Sequence, residues 1–140
     1  MYRTVDSGIW KDAWVSELSP YGKLLFIYLF TNDRITACGV LEITRRQMAF
    51  DTGLSLAEID ATLAEITAGG KVVWWPDLPL IWVRNFYARQ RANSNDKFTG
   101  AARRALITFP ACVQEWVGGV YPELGNGMGD PPPSHPHPTH

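Results

Sequence analysis

The sequence predicts an α+β domain that is mainly helical, and three observations carry that prediction. Apolar residues recur at three- and four-residue spacing in several segments, which is typical of amphipathic helices. Two helix starts share the Ser/Thr-x-x-Glu/Gln signature of a capping box. Two runs rich in Val, Trp and Ile flank the turn-forming residues 76–79, which indicates a β-hairpin. With 140 residues, 46% of them hydrophobic, the chain is long enough to bury one sizeable core.

The first third of the chain predicts two helices and a strand. Residues 9–18 have the spacing of a short amphipathic helix that would cover the core with two tryptophans. Ser19 is a favourable N-cap and Pro20 suits the first helical position, so a strongly apolar central helix is expected over residues 21–31. Residues 40–43 then have the composition of a short strand.

Two short helices follow, each with a well-specified start. Thr44 and Gln47 form one predicted capping box, and Ser55 and Glu58 form the other. Gly53 ends the first helix, where a left-handed conformation is needed. Two helices joined by a glycine turn are typical of a helix-turn-helix.

The second helix of this pair, expected to run to about Ala68, is amphipathic. Its predicted buried stripe is Leu56, Ile59, Leu63 and Ile66. Its outer face carries Glu58, Asp60 and Glu65 and no basic residue, and a solvated acidic face is the simplest interpretation. Because carboxylates repel phosphates, this helix is a poor candidate for reading bases in the major groove.

A hairpin over residues 71–75 and 80–85 completes a recognisable order. Helix, strand, helix, turn, helix, hairpin is the order of a winged helix-turn-helix, with residues 40–43 as its third strand. Strand alternation places Trp74 and Trp75 on opposite faces, so one of them points outward unless something covers it.

The C-terminal part predicts two more helices and a tail. One helix would be capped by Asn95 or Asp96 and return to the core, and the other would open at Pro110. The predicted domain therefore spans residues 1–124, including a helical extension over residues 93–124. Residues 125–140 are dominated by Gly, Pro, Asn and His, which predicts a disordered tail or linker.

Several classes of function find no support in these residues. The three histidines, His135, His137 and His140, all lie in the tail, so the predicted core has no imidazole for acid–base chemistry. Cys38 and Cys112 stand alone, as buried free thiols do, and no metal site is expected. No phosphate-binding loop, signal peptide or apolar run of membrane-spanning length is present. The sequence favours a cytoplasmic, non-enzymatic protein without a cofactor.

The net charge of -1 conceals a locally basic segment, residues 84–104, which carries six basic residues against one acid. If DNA is bound, these residues would grip phosphates together with basic residues nearer the N-terminus. The predicted DNA-binding set is Arg45, Arg46, Lys71, Arg84, Arg89, Arg91, Lys97, Arg103 and Arg104. The alternative is that these side chains only solubilise the surface or pair with acids.

The chain also resembles a family of phage proteins over nearly everything up to about residue 124. The resemblance rests on residues 8–12, 18–19, 23–29, 39–43, 52–55, 70–73 and 83–86, followed by Gln90 and Asn93. These segments are similar to the N-terminal winged-helix domain of phage replication proteins, the replisome-organiser or DnaD-like type. The resemblance implies a protein that binds origin DNA, often as an oligomer, and helps bring a replicative helicase or its loader to the origin in a bacterial cytoplasm.

The sequence thus leaves three functions open. The leading hypothesis is a non-enzymatic DNA-binding module of phage replication that grips the DNA backbone. The second is a protein-interaction or oligomerisation module in a replication complex, favoured by the acidic helix and the aromatic content. The third is a winged-helix transcriptional regulator, which the acidic outer face disfavours.

Overall fold

The computed structural model describes residues 7–92 and 94–125, and over those residues the fold is α+β and mainly helical, as predicted. The described ranges contain seven α-helices: α1 (Ala13–Ser16), α2 (Pro20–Phe30), α3 (Arg45–Thr52), α4 (Leu56–Thr67), α5 (Phe86–Ala92), α6 (Asp96–Leu106) and α7 (Ala111–Val120). They also contain three strands: β1 (Val40–Glu42), β2 (Val72–Trp75) and β3 (Leu80–Val83). Short 3-10 helices lie at Ser7–Lys11 and Pro122–Leu124. Of the predicted tail, residues 125–140, all but Gly125 lie outside the described residues.

The helix starts follow the capping signals of the sequence, with one exception. Ser55 and Glu58 form the full capping box, since each side chain accepts a hydrogen bond from the other residue's backbone N–H, at 3.0 and 2.9 Å. Thr44 accepts from the Gln47 N–H at 3.1 Å, but the Gln47 amide donates to Asp51 one turn further along. The box predicted at α3 was therefore half wrong, because the Gln47 side chain is turned to Asp51, to which its amide nitrogen donates, and does not accept from the Thr44 N–H.

The sheet is antiparallel with strand order β1-β3-β2, which confirms the hairpin and the third strand. β3 is central, and its residues are buried throughout. Trp82 is paired with Val40 on one side and Val73 on the other, while Ile81 is paired with Leu41 and Trp74. Successive residues of β3 therefore point to opposite faces of the sheet.

Both faces of the sheet are covered by helices. Leu41, Ile81 and Val83 pack with buried residues of α2, α3 and α4 in a first core. Val40, Leu80 and Trp82 pack with buried residues of α5, α6 and α7 in a second core. The C-terminal helices were expected to return to a single core; instead they build another one on the opposite face.

Coverage of both faces decides where the hairpin tryptophans lie. Trp74 packs against the first core and Trp75 against the second. The Trp75 ring meets the Trp116 ring of α7 edge-on, with centroids 6.5 Å apart. Trp82 is only 1% exposed. None of these three side chains is left pointing freely into solvent.

The expectation that residues 9–18 form one helix with two core tryptophans was wrong. Asp12 caps α1, because its carboxylate accepts from the N–H groups of Trp14 and Val15, and a 3-10 helix precedes it. The break changes the direction of the side chains before it. Trp14 packs edge-on against Phe26 with centroids 5.1 Å apart, whereas Trp10 is 60% exposed.

Two smaller differences concern α4 and α5. On α4, Ile59, Leu63 and Ile66 are buried as predicted, but Leu56 is 38% exposed at the first helical position. Leu54, just before the cap, packs against the first core. The helix α5 was not predicted at all, and it fills the second core with Tyr87.

Candidate nucleic-acid interface

The nine basic residues predicted to contact DNA divide into those already engaged within the protein and those that are not. Arg45, at the start of α3, donates from Nε and Nη2 to the two carboxylate oxygens of Asp60 on α4, at 2.6 and 2.8 Å. This bidentate contact uses an edge of the guanidinium plane, the same kind of edge that donates to a phosphate. It also holds the pKa of Asp60 below its usual range. Arg45 is thus committed to the α3–α4 contact.

Two further arginines hold distant parts of the chain together. The Arg89 Nη2 atom lies 2.9 Å from the Asp12 carboxylate, with less than a quarter of each side chain exposed. Arg103 donates from both Nε and Nη2 to the backbone carbonyl of Glu123, at 2.9 and 2.7 Å. Arg89 fastens the N-terminal segment to α5, and Arg103 fastens the C-terminal 3-10 helix to α6.

The other six basic residues are available. Within residues 7–92 and 94–125, their side chains have no hydrogen bond or ion pair with another group. Lys71 is half-buried, and the other five are exposed. The six are Arg46, Lys71, Arg84, Arg91, Lys97 and Arg104.

Five of these six belong to the hairpin base and the helices of the second core. Lys71 and Arg84 meet at the base of the hairpin, where the Arg84 N–H donates to the Lys71 carbonyl at 3.0 Å. Lys97 and Arg104 are exposed on α6 seven residues apart, which places them on one side of the helix about 10 Å apart. Arg91 lies on α5. Arg46 alone belongs to the helices of the first core.

The tip of the hairpin contributes no positive charge. Residues 76–79 consist of two prolines, Asp77 and Leu78. Leu78 is 37% exposed, and Asp77 is exposed as well. A hairpin contact with phosphates is therefore restricted to the base, where Lys71 and Arg84 lie.

The acidic face of α4 is not the simple solvated surface that the sequence suggested. Glu58 completes the capping box, and Asp60 receives Arg45. Glu65 accepts from the Ser19 backbone N–H at 2.8 Å and from the Ser19 hydroxyl at 2.6 Å. Each carboxylate has a structural partner, and no basic residue stands on this face apart from the arginine that Asp60 holds.

A second polar cluster, which sequence reasoning missed, joins α2 to α3. The Tyr28 hydroxyl and the Gln47 amide both donate to the Asp51 carboxylate, and Arg34 lies 4.0 Å away. Burial and the hydrogen bond to Asp51 raise the pKa of Tyr28, while the hydrogen bonds from Tyr28 and Gln47 lower the pKa of Asp51. Asp51 accepts from Tyr28 of α2 and from Gln47 of its own helix, which indicates a structural joint.

The described residues offer little support for a metal site, a reactive thiol or a membrane-spanning helix. Within them, no three His, Cys, Asp or Glu side chains gather closely enough to hold a metal ion. Both cysteines there are free thiols; Cys38 is fully buried and Cys112 half-buried. Burial raises the pKa of the Cys38 thiol. None of the helices in the described ranges has the length and apolar character required to cross a bilayer.

Comparison with models of protein families, with curated proteins and with solved structures finds no match to this chain.

Proposed function

We propose that the chain is a winged helix-turn-helix module that binds DNA through its phosphates and carries out no catalysis. The order α2, β1, α3, α4 and the β2–β3 hairpin supports this assignment, with α3 and α4 as the helix-turn-helix and the hairpin as the wing. A role in phage-type DNA replication, at an origin or in replisome organisation, is supported by the resemblance of the sequence segments described above.

The observation that carries the DNA proposal is the group of unpaired cations at the hairpin base and on α5 and α6. Arg84, Arg91, Lys97 and Arg104 are exposed and without partners in the described part of the chain. Flexible cations of this kind suit phosphate oxygens, which carry no sequence information. Because α4 and the hairpin tip offer no free cation, the proposed grip uses the C-terminal helices and contributes little base recognition.

Binding should be measured by fluorescence anisotropy with a labelled duplex across a salt series. The test variant replaces Arg84, Arg91 and Arg104 by Gln. Each phosphate contact contributes about 0.9 to the slope of log affinity against log salt concentration on duplex DNA, so the slope is expected to fall by about 2 to 3. Affinity at low salt falls with it.

The matched control replaces Lys11, Lys23 and Arg34 by Gln, which removes the same charge from other surfaces. It should leave the salt slope unchanged. Failure of the unmodified protein to bind duplex and single-stranded DNA alike at low salt would refute the proposal. An equal loss in the test and control variants would show that the attraction depends on overall charge and not on this surface.

A second candidate function is favoured by exposed apolar side chains. Phe50 on α3 is 83% exposed, and Ile107, just after α6, is 61% exposed. Contiguous apolar surface is typical of sites that another protein covers, and Phe50 has the greatest exposure of the large apolar side chains in the described residues. In this alternative the domain assembles with further copies of itself or docks a helicase or its loader.

Light scattering over a range of concentrations separates the two candidates. A monomer that binds DNA with the expected salt slope supports the DNA module. A dimer or larger assembly that dissociates when Phe50 is replaced by Glu supports the interaction module. A strong preference for one operator sequence would instead indicate a transcriptional regulator.

A further inference from the structure

An open cleft of about 390 Å³, lined by both polar and apolar surface, lies among α5, the start of α6 and the Pro122–Leu124 helix. Its lining includes Tyr87 and Arg91 of α5, Asn95 and Asp96 at the start of α6, and Tyr121 and Glu123. The volume is within the range of sites that take small organic groups. One of the cations that carry the proposed DNA contact, Arg91, lies in the wall of the cleft.

One wall of the cleft is aromatic and held in place. The Tyr121 and Tyr87 rings meet edge-on with centroids 4.9 Å apart, and Tyr87 stacks on Phe98 behind it. The Tyr121 hydroxyl donates to the Arg84 carbonyl at 2.7 Å. Burial raises the pKa of Tyr121, so the phenol keeps the proton that this hydrogen bond needs. Tyr121 is half-buried and lines the cleft, and an aromatic ring in such a position is a stacking partner for a base.

The polar lining matches a nucleobase better than a phosphate. Asn95 accepts from the Lys97 N–H through its side-chain oxygen, so its amide N–H groups remain to donate. Asp96 and Glu123 supply carboxylate acceptors, which repel phosphates but accept readily from the exocyclic amino groups of bases. Arg91 supplies donors beside them. Such a mixture of donors and acceptors complements the edge of a base, and the aromatic ring beside it complements the face.

The other basic residues proposed to contact the DNA phosphates lie outside the cleft. At one end, Arg84 is tied to Tyr121 through its carbonyl, and Lys71 lies against Arg84. At the other end, Lys97 follows the lining residue Asp96 directly in sequence. A strand that placed one base in the cleft would thus have cationic residues near it, with the charge of Arg84 close enough to Tyr121 to act on its pKa. A base inside an intact duplex is stacked and paired and does not reach such a cleft.

We propose that this cleft receives one unstacked base of single-stranded DNA, with Tyr121 as the stacking surface and Arg84, Lys71 and Lys97 as flanking phosphate contacts. The inference rests on the proposed DNA-binding function and specifies its substrate as the single strand.

The test compares a labelled 20-nucleotide strand with a duplex of the same sequence by fluorescence anisotropy. Tyr121→Ala is expected to weaken single-strand binding about tenfold, because stacking on an aromatic side chain contributes on that order, and to change duplex binding by less than about twofold. Tyr121→Phe keeps the ring and should retain single-strand affinity. Lys23→Gln, on α2 with the first core, is the control for a loss of charge outside the cleft.

Folding of each variant is checked by circular dichroism. Arg91→Gln changes an exposed side chain, so it carries the test if Tyr121→Ala does not fold, and it should also lower single-strand affinity more than duplex affinity. A strand with one 5-iodouracil, irradiated in the complex, should crosslink to Tyr121.

The possible outcomes distinguish failure of the cleft proposal from failure of the proposed DNA-binding function. A single-strand preference that Tyr121→Ala and Arg91→Gln abolish supports the cleft. A ratio of single-strand to duplex affinity that neither variant alters, or a crosslink elsewhere, overturns the cleft and leaves DNA binding intact. Failure of the unmodified protein to bind either form overturns both.

Discussion

Gly22 lies on α2 beside the carboxylate of Glu65, and replacing it by Ala should have opposite effects in two backgrounds. Glu65 receives two hydrogen bonds from Ser19, which itself caps α2 by accepting from the Gly22 N–H at 3.0 Å. A Cβ atom at position 22 would stand 2.6 Å from Glu65 Oε1 and 2.9 Å from Cδ. Since the carboxylate is the end of a flexible side chain, Ala at position 22 should push it away from Ser19.

The expected magnitude follows from two opposing effects. Loss of two hydrogen bonds to a partly exposed carboxylate costs about 2 kcal/mol in the free energy of unfolding. Ala in place of Gly inside a helix contributes about 1 kcal/mol in the other direction. Gly22→Ala should therefore destabilise the protein by about 1 kcal/mol. In a Glu65→Ala background the first effect is absent, and the same substitution should stabilise by about 1 kcal/mol.

Urea unfolding, followed by circular dichroism and tryptophan fluorescence, measures all four proteins of the cycle. Gly100→Ala on α6 is the matched control, because a Cβ there meets only the end of the Arg104 side chain, at 3.4 Å. It should stabilise by about 1 kcal/mol in both backgrounds. The same sign and size for Gly22→Ala with and without Glu65 would refute the assignment of this contact.

Three further predictions test other contacts. Asp12→Ala removes both the α1 cap and the ion pair with Arg89 and should lower the free energy of unfolding by about 2 kcal/mol. Asp12→Asn can still cap the helix, so it should cost less. Thermal unfolding compares the two variants, and equal losses would count against the capping role. Hydrogen bonds from the neighbouring tyrosine and glutamine lower the pKa of Asp51 below its ordinary value of 3.8, so its contribution to stability is full above that pH and is lost as the pH falls through the lowered pKa. Urea unfolding of the wild type and Asp51→Asn at falling pH should accordingly show a difference that shrinks below about pH 4, and a constant difference would contradict it. A thiol reagent should modify Cys112 in the native protein and Cys38 only on unfolding, because Cys38 is buried and its pKa is raised; two equally fast thiols would contradict that burial.

Local signals made much of the fold predictable. The Ser19 cap, the Ser55–Glu58 box and the left-handed Gly53, with φ of +80°, depend on residues within one helical turn of each other. The hairpin is likewise set by neighbouring residues. What depended on distant residues was missed. The break at Asp12 is the exception, since its cap is local and was overlooked in favour of a continuous apolar spacing.

The second core was out of reach for a different reason. Trp75 is covered by Trp116, which is 41 positions further along the chain. No residue pattern near the hairpin predicts this contact. The helix α5 has only seven residues, too few for a clear helical period, and follows directly on the strand-like composition of β3. Its assignment needed the tertiary structure.

The basic residues of the candidate interface were found by composition, but their availability was not. Arg45 pairs with an acid 15 positions away and Arg89 with one 77 positions away. Sequence spacing alone does not distinguish these arginines from Arg84 or Arg91, which have free guanidinium groups in the described part of the chain. The cleft beside Tyr121 depends on three separate elements and had no sequence signal.

The placement of β3 between two cores has a consequence for how the chain may be divided. Ile81 and Trp82 are joined by one peptide bond yet are packed by different sets of helices. A fragment ending after the hairpin would keep α2, α3 and α4, but it would lose Phe86 from the first core and expose Val40, Leu80 and Trp82, an apolar surface of the kind that drives aggregation. The C-terminal helices are thus part of the same folding unit as the helix-turn-helix. Because β3 contributes side chains to both cores, the helix-turn-helix and the C-terminal helices should unfold together, in a single transition.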